Sequence, residues 1–476
     1  MGWYRIAITL PKMIDDFQIA GSKVYFETTV NDYGEVWVDG KCDRAFGKSG
    51  KGGIAGFNRR NRILISEKAA PGATHVIAIL AINGPIAEPV GGYFHLIPRL
   101  IGAVSARVPI TRAPLMTGLL VLFIVAWANM TIYLASSRTL TDRWNRALLA
   151  LSVTLLPIVG FESISNSANL HFILVCASMV VLMGAQQTPW RMINDSALVI
   201  VTGLSTPLVL ALLPVAGYRW WRDRRGEVSQ TIPPVVVGWA LGTAGQFGSL
   251  AILGGGGTSR WGGDPGVARS AGKTLFLLLE RVLGYNFLPF WPRISAEDYS
   301  HGVTSDLVVR ALILVVFGGL LVVFFLRSVR VGLRCKETDQ VLSVVVSLSV
   351  GIGYWLFLAT VFSAEPRYAV FPAFCVLYCL LTSVGIYREP GRKERGKWPK
   401  VLFVPLMVIV GFASHWTPSE IRSGGPTWSA GLYVAAEDCR VPGAMTATVP
   451  IIPTYADWRV ELNCQELLSA VGGFQP

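Results

Sequence analysis

From Pro114 onward the sequence returns repeatedly to runs of about twenty apolar residues, separated by short loops rich in arginine. A run of that length and polarity has one stable solution in a bilayer, a helix that satisfies its own backbone donors and acceptors. The composition agrees: 52% of the 476 residues are hydrophobic and 15% are charged, against about 25% charged in soluble chains. The net charge of +12 raises the question of nucleic acid. The excess Lys and Arg, however, falls between the apolar runs, where the positive-inside bias puts it. Membrane lipids are therefore the expected partner, nucleic acid is not, and a multi-pass protein of the cell membrane is expected.

The runs place crossings at about 113–136, 147–163, 170–186, 232–253, 306–326, 341–362, 369–387 and 400–414. The stretch 195–218 contains Leu204-Ser-Thr-Pro207, and proline both removes a donor and pushes its predecessor out of the helical region. Reading it as two short helices, 195–205 and 207–218, meeting at the outer face gathers the basic loops on one side. Those loops are 137–146, 187–194, 219–231, 327–340 and 388–399, with Arg138, Arg143, Arg191, Arg219, Arg222, Arg224, Arg225, Arg327 and Arg388 among their charges. The outer turns 164–169, 204–206 and 363–368 carry Arg367 as their only basic residue. The expectation is about ten crossings with both termini outside. The fold class is then a mostly α, polytopic helical membrane protein over 113–414, with a short extracytoplasmic tail over 415–476. Cys439 and Cys464 are the only cysteine pair in a polar segment, and outside the cell they are able to form a disulfide. Cys176, Cys375 and Cys379 fall inside apolar runs as small buried hydrophobes. No metal-ligand spacing occurs, and no cofactor is expected.

Before Gly91 the pattern changes to strict alternation, as in Lys23-Val-Tyr-Phe-Glu-Thr-Thr-Val30 and Gly34-Glu-Val-Trp-Val-Asp39. Turn formers at Asn31 to Gly34, Asp39-Gly40 and Gly47 to Gly53 punctuate it, which predicts a small antiparallel β-sandwich fragment over 1–90. Met1-Gly-Trp-Tyr-Arg5 opens directly into this pattern without a signal segment. Tyr33 and Trp37 offer stacking faces to a sugar, and Asn58 and Arg62 offer hydrogen bonds. The competing reading makes the tryptophan core and the Asn and Asp residues turn formers.

Polar groups inside a membrane region are functional candidates by default. The densest block is Phe161-Glu-Ser-Ile-Ser-Asn-Ser-Ala-Asn-Leu-His171. Its Glu162, Asn166, Asn169 and His171 combine a carboxylate, two amides and an imidazole, suited to sugar hydroxyls and proton transfer. The alternative is a polar turn whose Asn and Ser cap a helix. Arg367 in Ala364-Glu-Pro-Arg-Tyr368 either holds a phosphate in a bidentate fork or pairs with Glu365. His95 and Arg99, in Tyr93-Phe-His-Leu-Ile-Pro-Arg99, open an amphipathic stretch over 91–112 that either faces the same cleft or anchors in headgroups. The long segment 254–305 adds Arg260, Trp261 and Asp264 in a glycine-rich loop, followed by the apolar stretch Leu275–Trp291.

Taken together, the Gly-Tyr-Phe-His-Leu-Ile-Pro-Arg-Leu segment, the Glu-x-x-x-Asn-x-x-Asn-Leu-His block, the Pro-Arg-Tyr turn and the tail with Gly425-Pro-Thr-Trp428, Cys439, Trp458 and Cys464 resemble actinobacterial GT-C glycosyltransferases over about 91–476. The resemblance implies a polyprenyl-phosphate sugar as donor and a cell-envelope glycan or lipid as acceptor. It also implies substrate-binding roles for Asn166, Asn169, His171, Arg367, Tyr368, His95, Arg99, Arg260 and Trp261. In such enzymes the catalytic carboxylate sits in the first outer loop. Here the β-piece stands in that place, so the catalytic acid falls to Glu162 or Asp264. Without such an acid the chain is a non-catalytic membrane protein carrying a carbohydrate-binding-like fragment. Residues 2–90, through Asn31-Asp-Tyr-Gly-Glu-Val-Trp-Val-Asp-Gly40 and Gly56-Phe-Asn-Arg-Arg-Asn-Arg62, resemble the galactose-binding-like domain attached to gluconolactonase-type (SMP-30-like) proteins. No β-propeller follows, so lactonase chemistry is not implied.

Overall fold

The computed structural model describes residues 2–14, 17–30, 33–42, 53–55, 59–82, 94–160, 167–184, 188–225, 232–253, 276, 278–288, 291, 305–361, 366–388, 427–441, 443–450 and 459–471. In the N-terminal part, strand β5 (Tyr33–Val38; β1 to β4 follow below) ends in a tight turn across which Val38 and Lys41 exchange both backbone hydrogen bonds. Asp39 and Gly40 take φ of 51° and 76°, the left-handed pair that an Asp-Gly type I′ turn requires. The Asp39 carboxylate accepts the Val76 N–H at 2.8 Å and meets His75 Nδ1 at 2.7 Å. The hydrogen bond to His75 holds its pKa below the usual aspartate value.

Strands β1 (Gly2–Thr9), β8 (Thr74–Ile82), β5 and β6 (Gly53–Ala55) form an antiparallel sheet in the order β1-β8-β5-β6. Strand β4 (Val24–Val30) pairs antiparallel with β7 (Arg59–Ser66), and β2 (Met13–Ile14) with β3 (Phe17–Gln18). Val36, Ile77, Ile8 and Ile79 from the larger sheet pack on Ile63, Phe26 and Ile65 from the β4–β7 pair. The two layers thus share one small core, as the alternating sequence requires.

The remainder is mostly helical. Among the described residues, four helical stretches are long and apolar enough to cross a membrane: Ala113–Arg138, Val308–Arg334, Thr338–Phe357 and Val370–Tyr387. They belong to α2 (Ala113–Ala135), α9 (Ser305–Arg334), α10 (Thr338–Val361) and α11 (Val370–Arg388), with α1 (Leu96–Ser105) preceding them and α3 to α8 between. Helix α11 is enclosed by its neighbours, whereas α9 turns most of its apolar surface outward, as a lipid-facing helix does. Helix α5 (Leu170–Met183) is buried along its length except at His171. Its 14 residues span about 21 Å, short of the ~30 Å hydrocarbon layer.

The expected crossing at 147–163 is interrupted. Asp142 caps α3 (Arg143–Leu155) by accepting the Trp144 N–H at 2.6 Å, and the helix stops at Leu155. Leu156 is extended, with ψ of 129°, because Pro157 disfavours the helical region for its predecessor. The chain resumes as α4 (Pro157–Gly160). The basic loops are also shorter than the sequence implies. Helix α6 (Pro189–Ser205) starts at the first position, where proline is favoured, and takes in Arg191. Helix α7 (Leu213–Arg225) runs through Arg219, Arg222, Arg224 and Arg225, and positive charge favours a helix C-terminus. The expected crossing at 400–414 lies outside the described residues.

Between α6 and α7 the chain reverses. Thr206 is extended at φ −155° and accepts the Leu208 N–H on its side chain, starting the tight turn Pro207–Leu212. At its far end α7 returns to the C-terminus of α5. There Arg222 donates to the Met183 carbonyl at 2.6 Å and to the Gly184 carbonyl at 2.8 Å, and Arg219 donates to Gly184. Arg138, just after α2, pairs with Asp339 at the start of α10, and Tyr218 of α7 donates to the Asp339 carbonyl at 3.3 Å. The C-terminal ends of α2, α5 and α7 and the start of α10 therefore meet at one end of the bundle.

Helix α8 (Pro234–Leu253) runs parallel to α6, with Gly238 over Ser196, Gly242 over Ile200 and Gly203, and Gly245 over Leu204. Without side chains between them the backbones approach closely, the small-residue packing that membrane helices use. The tail folds as α12 (Trp428–Asp438), β9 (Thr446–Pro450), β10 (Arg459–Asn463) and α13 (Cys464–Val471). Cys439 and Cys464 form a disulfide with Cα atoms 5.2 Å apart, beside a core of Leu432, Ala435, Val449 and Leu467. Helices α12 and α13 pack against Ile110–Arg112, at the opposite end of α2 from Arg138.

A methyl group added at Gly203 would stand 2.6 Å from the Gly242 carbonyl carbon, and one at Gly242 would stand 2.9 Å from the Ile200 oxygen. Gly118 in α2 has nothing within 4 Å. Gly→Ala in an open helix stabilises by about 1 kcal/mol. Gly118→Ala is therefore expected to hold or raise the thermal midpoint in detergent, and Gly203→Ala and Gly242→Ala to lower stability by about 1–3 kcal/mol.

Candidate functional site

At the end of the bundle opposite the arginines, several irregular turns converge. The turn Ser167–Asn169 leads into α5 and packs against α1. The turn Pro366–Ala369 leads into α11 and packs against α4 and against a π-helical turn, Leu279–Gly284. Irregular backbone at such depth is tolerated only where protein groups satisfy it. Here buried side chains do so. Asn286 is fully buried; its Oδ1 accepts the Ile158 N–H at 3.2 Å, and its Nδ2 donates to the Arg281 and Val282 carbonyls at 2.8 and 3.2 Å. Gln246 of α8 accepts the Phe94 N–H at 3.4 Å, and Ser205 accepts the Ile97 N–H at 3.3 Å. The start of α1 is thus tied to α6 and α8.

Within this frame His171 and Tyr368 come together through Phe172. The His171 ring lies 4.1 Å from that of Phe172, which meets Tyr368 edge-on at 5.6 Å. Both polar side chains are half-buried. Asn169 is buried, and its side chain does not cap α5, so the simple capping reading of that residue does not hold. His95 precedes α1 in the left-handed region, φ 45°, uncommon outside glycine but entered by asparagine, aspartate and histidine. Arg99 lies one turn on, half-buried, its Nε without a hydrogen-bond partner among the described residues. Arg367 belongs to the Pro366–Ala369 turn. Glu162, Asn166, Arg260, Trp261 and Asp264 lie outside the described residues, as does Asn58.

In the β-sandwich, Trp37 is half-buried and donates to Glu35 at 3.2 Å. Arg62 pairs across the strands with Glu27 at 2.8 Å. Tyr33 opens β5, opposite Ile82 and Ala55.

Two ionisable residues of this end went unnoticed in the sequence. Glu280, 4% exposed, and Arg281 lie on the π-helical turn next to the Pro366–Ala369 turn. Their signal was a charged pair interrupting the apolar stretch Leu275–Trp291, and π-helical turns recur at functional sites. Asn286 and Gln246 gave no signal, because an isolated amide in an apolar run has no pattern to mark it. Among the described residues no group of three or more His, Cys, Asp or Glu is arranged to hold a metal ion. The chemistry this end offers is an imidazole, a phenol and amides for hydroxyl groups, with a buried carboxylate and arginine on adjoining turns.

Compared with protein-family models, curated proteins and solved structures, the chain matches none.

Asn286 serves three backbone groups at once, and leaving a buried polar group unpaired costs about 1–3 kcal/mol. Asn286→Leu is expected to lower the unfolding midpoint in detergent and to raise amide exchange at Ile158, while Asn286→Asp retains part of the network. An Asn286→Leu midpoint equal to that of the parent would contradict this account of the turn.

Proposed function

We propose that the chain is a membrane glycosyltransferase, moving a sugar from a polyprenyl-phosphate donor to a glycan or lipid acceptor on the extracytoplasmic side of the cell envelope. The observation that carries the reading is the His171–Phe172–Tyr368 contact. It joins the Asn-Leu-His block and the Pro-Arg-Tyr turn, distant in sequence, at one end of an apolar helical bundle. A lipid-linked donor presents its phosphate and sugar at such an end while its polyprenyl chain lies along the lipid-facing helices.

In this reading a carboxylate takes the proton of the acceptor hydroxyl. The acceptor oxygen attacks the anomeric carbon, and the bond from that carbon to the phosphate oxygen breaks. The polyprenyl phosphate leaves with the bonding electrons, its charge held by Arg367, with Arg99 or Arg260 assigned the same role. Glu162 and Asp264 are the acids the sequence nominates, and Glu280 joins them by its position. His171, Asn169, Asn166 and Tyr368 hold sugar hydroxyls, and His95 and Trp261 line the approach. The β-sandwich has no assigned part in transfer, since Trp37 and Arg62 are engaged with Glu35 and Glu27.

The test is transfer of label from a radiolabelled polyprenyl-phosphate sugar to cell-envelope acceptor by the purified chain. The reading predicts transfer by the wild type, a fall of about 10²–10⁴-fold in the variant lacking the general base, to be found among Glu162→Gln, Asp264→Asn and Glu280→Gln, and a severe loss in Arg367→Ala. No transfer by the wild type, with these variants indistinguishable from it, would leave a non-catalytic membrane protein.

A further inference from the structure

The arginine-rich end carries a second pattern that catalysis does not use. Among the described residues, every arginine placed over an aromatic ring lies there. Arg224 stands 4.4 Å from the Trp220 ring centre, Arg225 4.3 Å from Trp221, and Arg143 5.5 Å from Trp144. Arg222 over Tyr218 and Arg146 over Tyr133 complete the set. The direct contacts of Arg138 with Asp339, and of Arg219 and Arg222 with the end of α5, place these pairs at one level of the bundle.

The arginines divide into two groups. Arg219 and Arg222 are buried and engaged with Asp223 and backbone carbonyls. Arg143, Arg224 and Arg225 are exposed and have no ion pair among the described residues. Each guanidinium lies within cation–π range of an indole, which restrains it, and its N–H donors are not spent on an ion pair among the described residues. The rings themselves are partly open to the outside: Trp144 is 71% exposed, and Trp220 and Trp221 are each 39% exposed. These indoles lie on α3 and α7, at the level where the apolar helix α2 ends at Arg138, and tryptophan at such a level occupies the headgroup region of a bilayer. A fixed, planar cation at that depth matches a phosphodiester. The last turns of α9 add exposed Arg327, Arg330 and Arg334 along the same level.

We propose that this end of the bundle is a docking surface for anionic phospholipid headgroups, with Arg143, Arg224 and Arg225, stacked on Trp144, Trp220 and Trp221, as its phosphate ligands. The occupant is lipid rather than a soluble anion because the stacking rings share the level at which the apolar helix α2 ends and α10 begins. The proposal is independent of the transfer reaction.

The experiment measures the unfolding midpoint of the full chain in detergent with added phosphatidylglycerol, with phosphatidylcholine, and with inorganic phosphate. Phosphatidylglycerol is expected to raise the midpoint more than phosphatidylcholine does. The difference is expected to shrink as salt rises, since charge interactions at an exposed surface are screened. Inorganic phosphate at the same concentration is expected to give no rise. The combined variant Arg143→Ala, Arg224→Ala, Arg225→Ala is expected to lose at least half of the phosphatidylglycerol-specific rise, whereas Arg112→Ala, at the other end, keeps it. Equal shifts with both lipids, or a difference insensitive to salt, would overturn the proposal on the wild type alone, even if the triple variant fails to fold. An equal rise with inorganic phosphate, or a full rise retained by the triple variant, would overturn it as well.

Discussion

In a medium without water, each helix end must pass its unpaired donors and acceptors to another part of the protein. The two ends of this bundle meet that constraint with different chemistry. At one end the partners are short neutral groups: Ser205, Thr206, Gln246 and Asn286 receive or supply the hydrogen bonds where helices break. At the other, guanidinium groups reach the carbonyls of Met183 and Gly184, and Arg138 joins Asp339. The first solution allows several interrupted helices to converge and leaves imidazole, phenol and amide groups among them. The second concentrates positive charge away from that convergence. The position of the candidate site and the position of the basic surface both follow from this division.

The reversal between α6 and α7 is what makes the division possible. A continuous helix over 195–218 would have carried Arg219 to Arg225 to the end that holds His171. The break at Thr206 instead folds α7 back, so that its arginines end against α5. The close packing of α6 on α8 through Gly203, Gly238 and Gly242 then holds Gln246 level with Phe94 and fixes the start of α1 over the site.

The sequence carried much of this. Proline at 207 marked the reversal, the apolar runs marked α2, α9, α10 and α11, and strict alternation with Asp39-Gly40 marked the sandwich and its turn. It misplaced elements where a local rule outweighed the run of hydrophobicity. Pro157 ended α3 early, and favourable charge at the helix end carried α7 through Arg225. The site was less legible. His171 and Tyr368 stand out as polar residues in apolar surroundings, but their meeting depends on Phe172, an ordinary apolar residue in the sequence. Glu280 showed only as a charge interrupting an apolar stretch, and its place beside the Pro366–Ala369 turn depends on a contact between distant segments. Asn286 was hidden for the same reason, since its worth lies in the backbone groups it satisfies.

The central claim is that the basic surface and the disulfide-bearing tail occupy opposite faces of one membrane. Cys335, an exposed cysteine just after α9 that is not in a disulfide, reports the first face, and a cysteine placed at Met445, 81% exposed, reports the second. A membrane-impermeant maleimide applied to right-side-out and to inverted vesicles, with the labelled peptides read by mass, tests it directly. The account predicts that Cys335 and Met445→Cys are labelled in opposite vesicle orientations; labelling of both in the same orientation would contradict it.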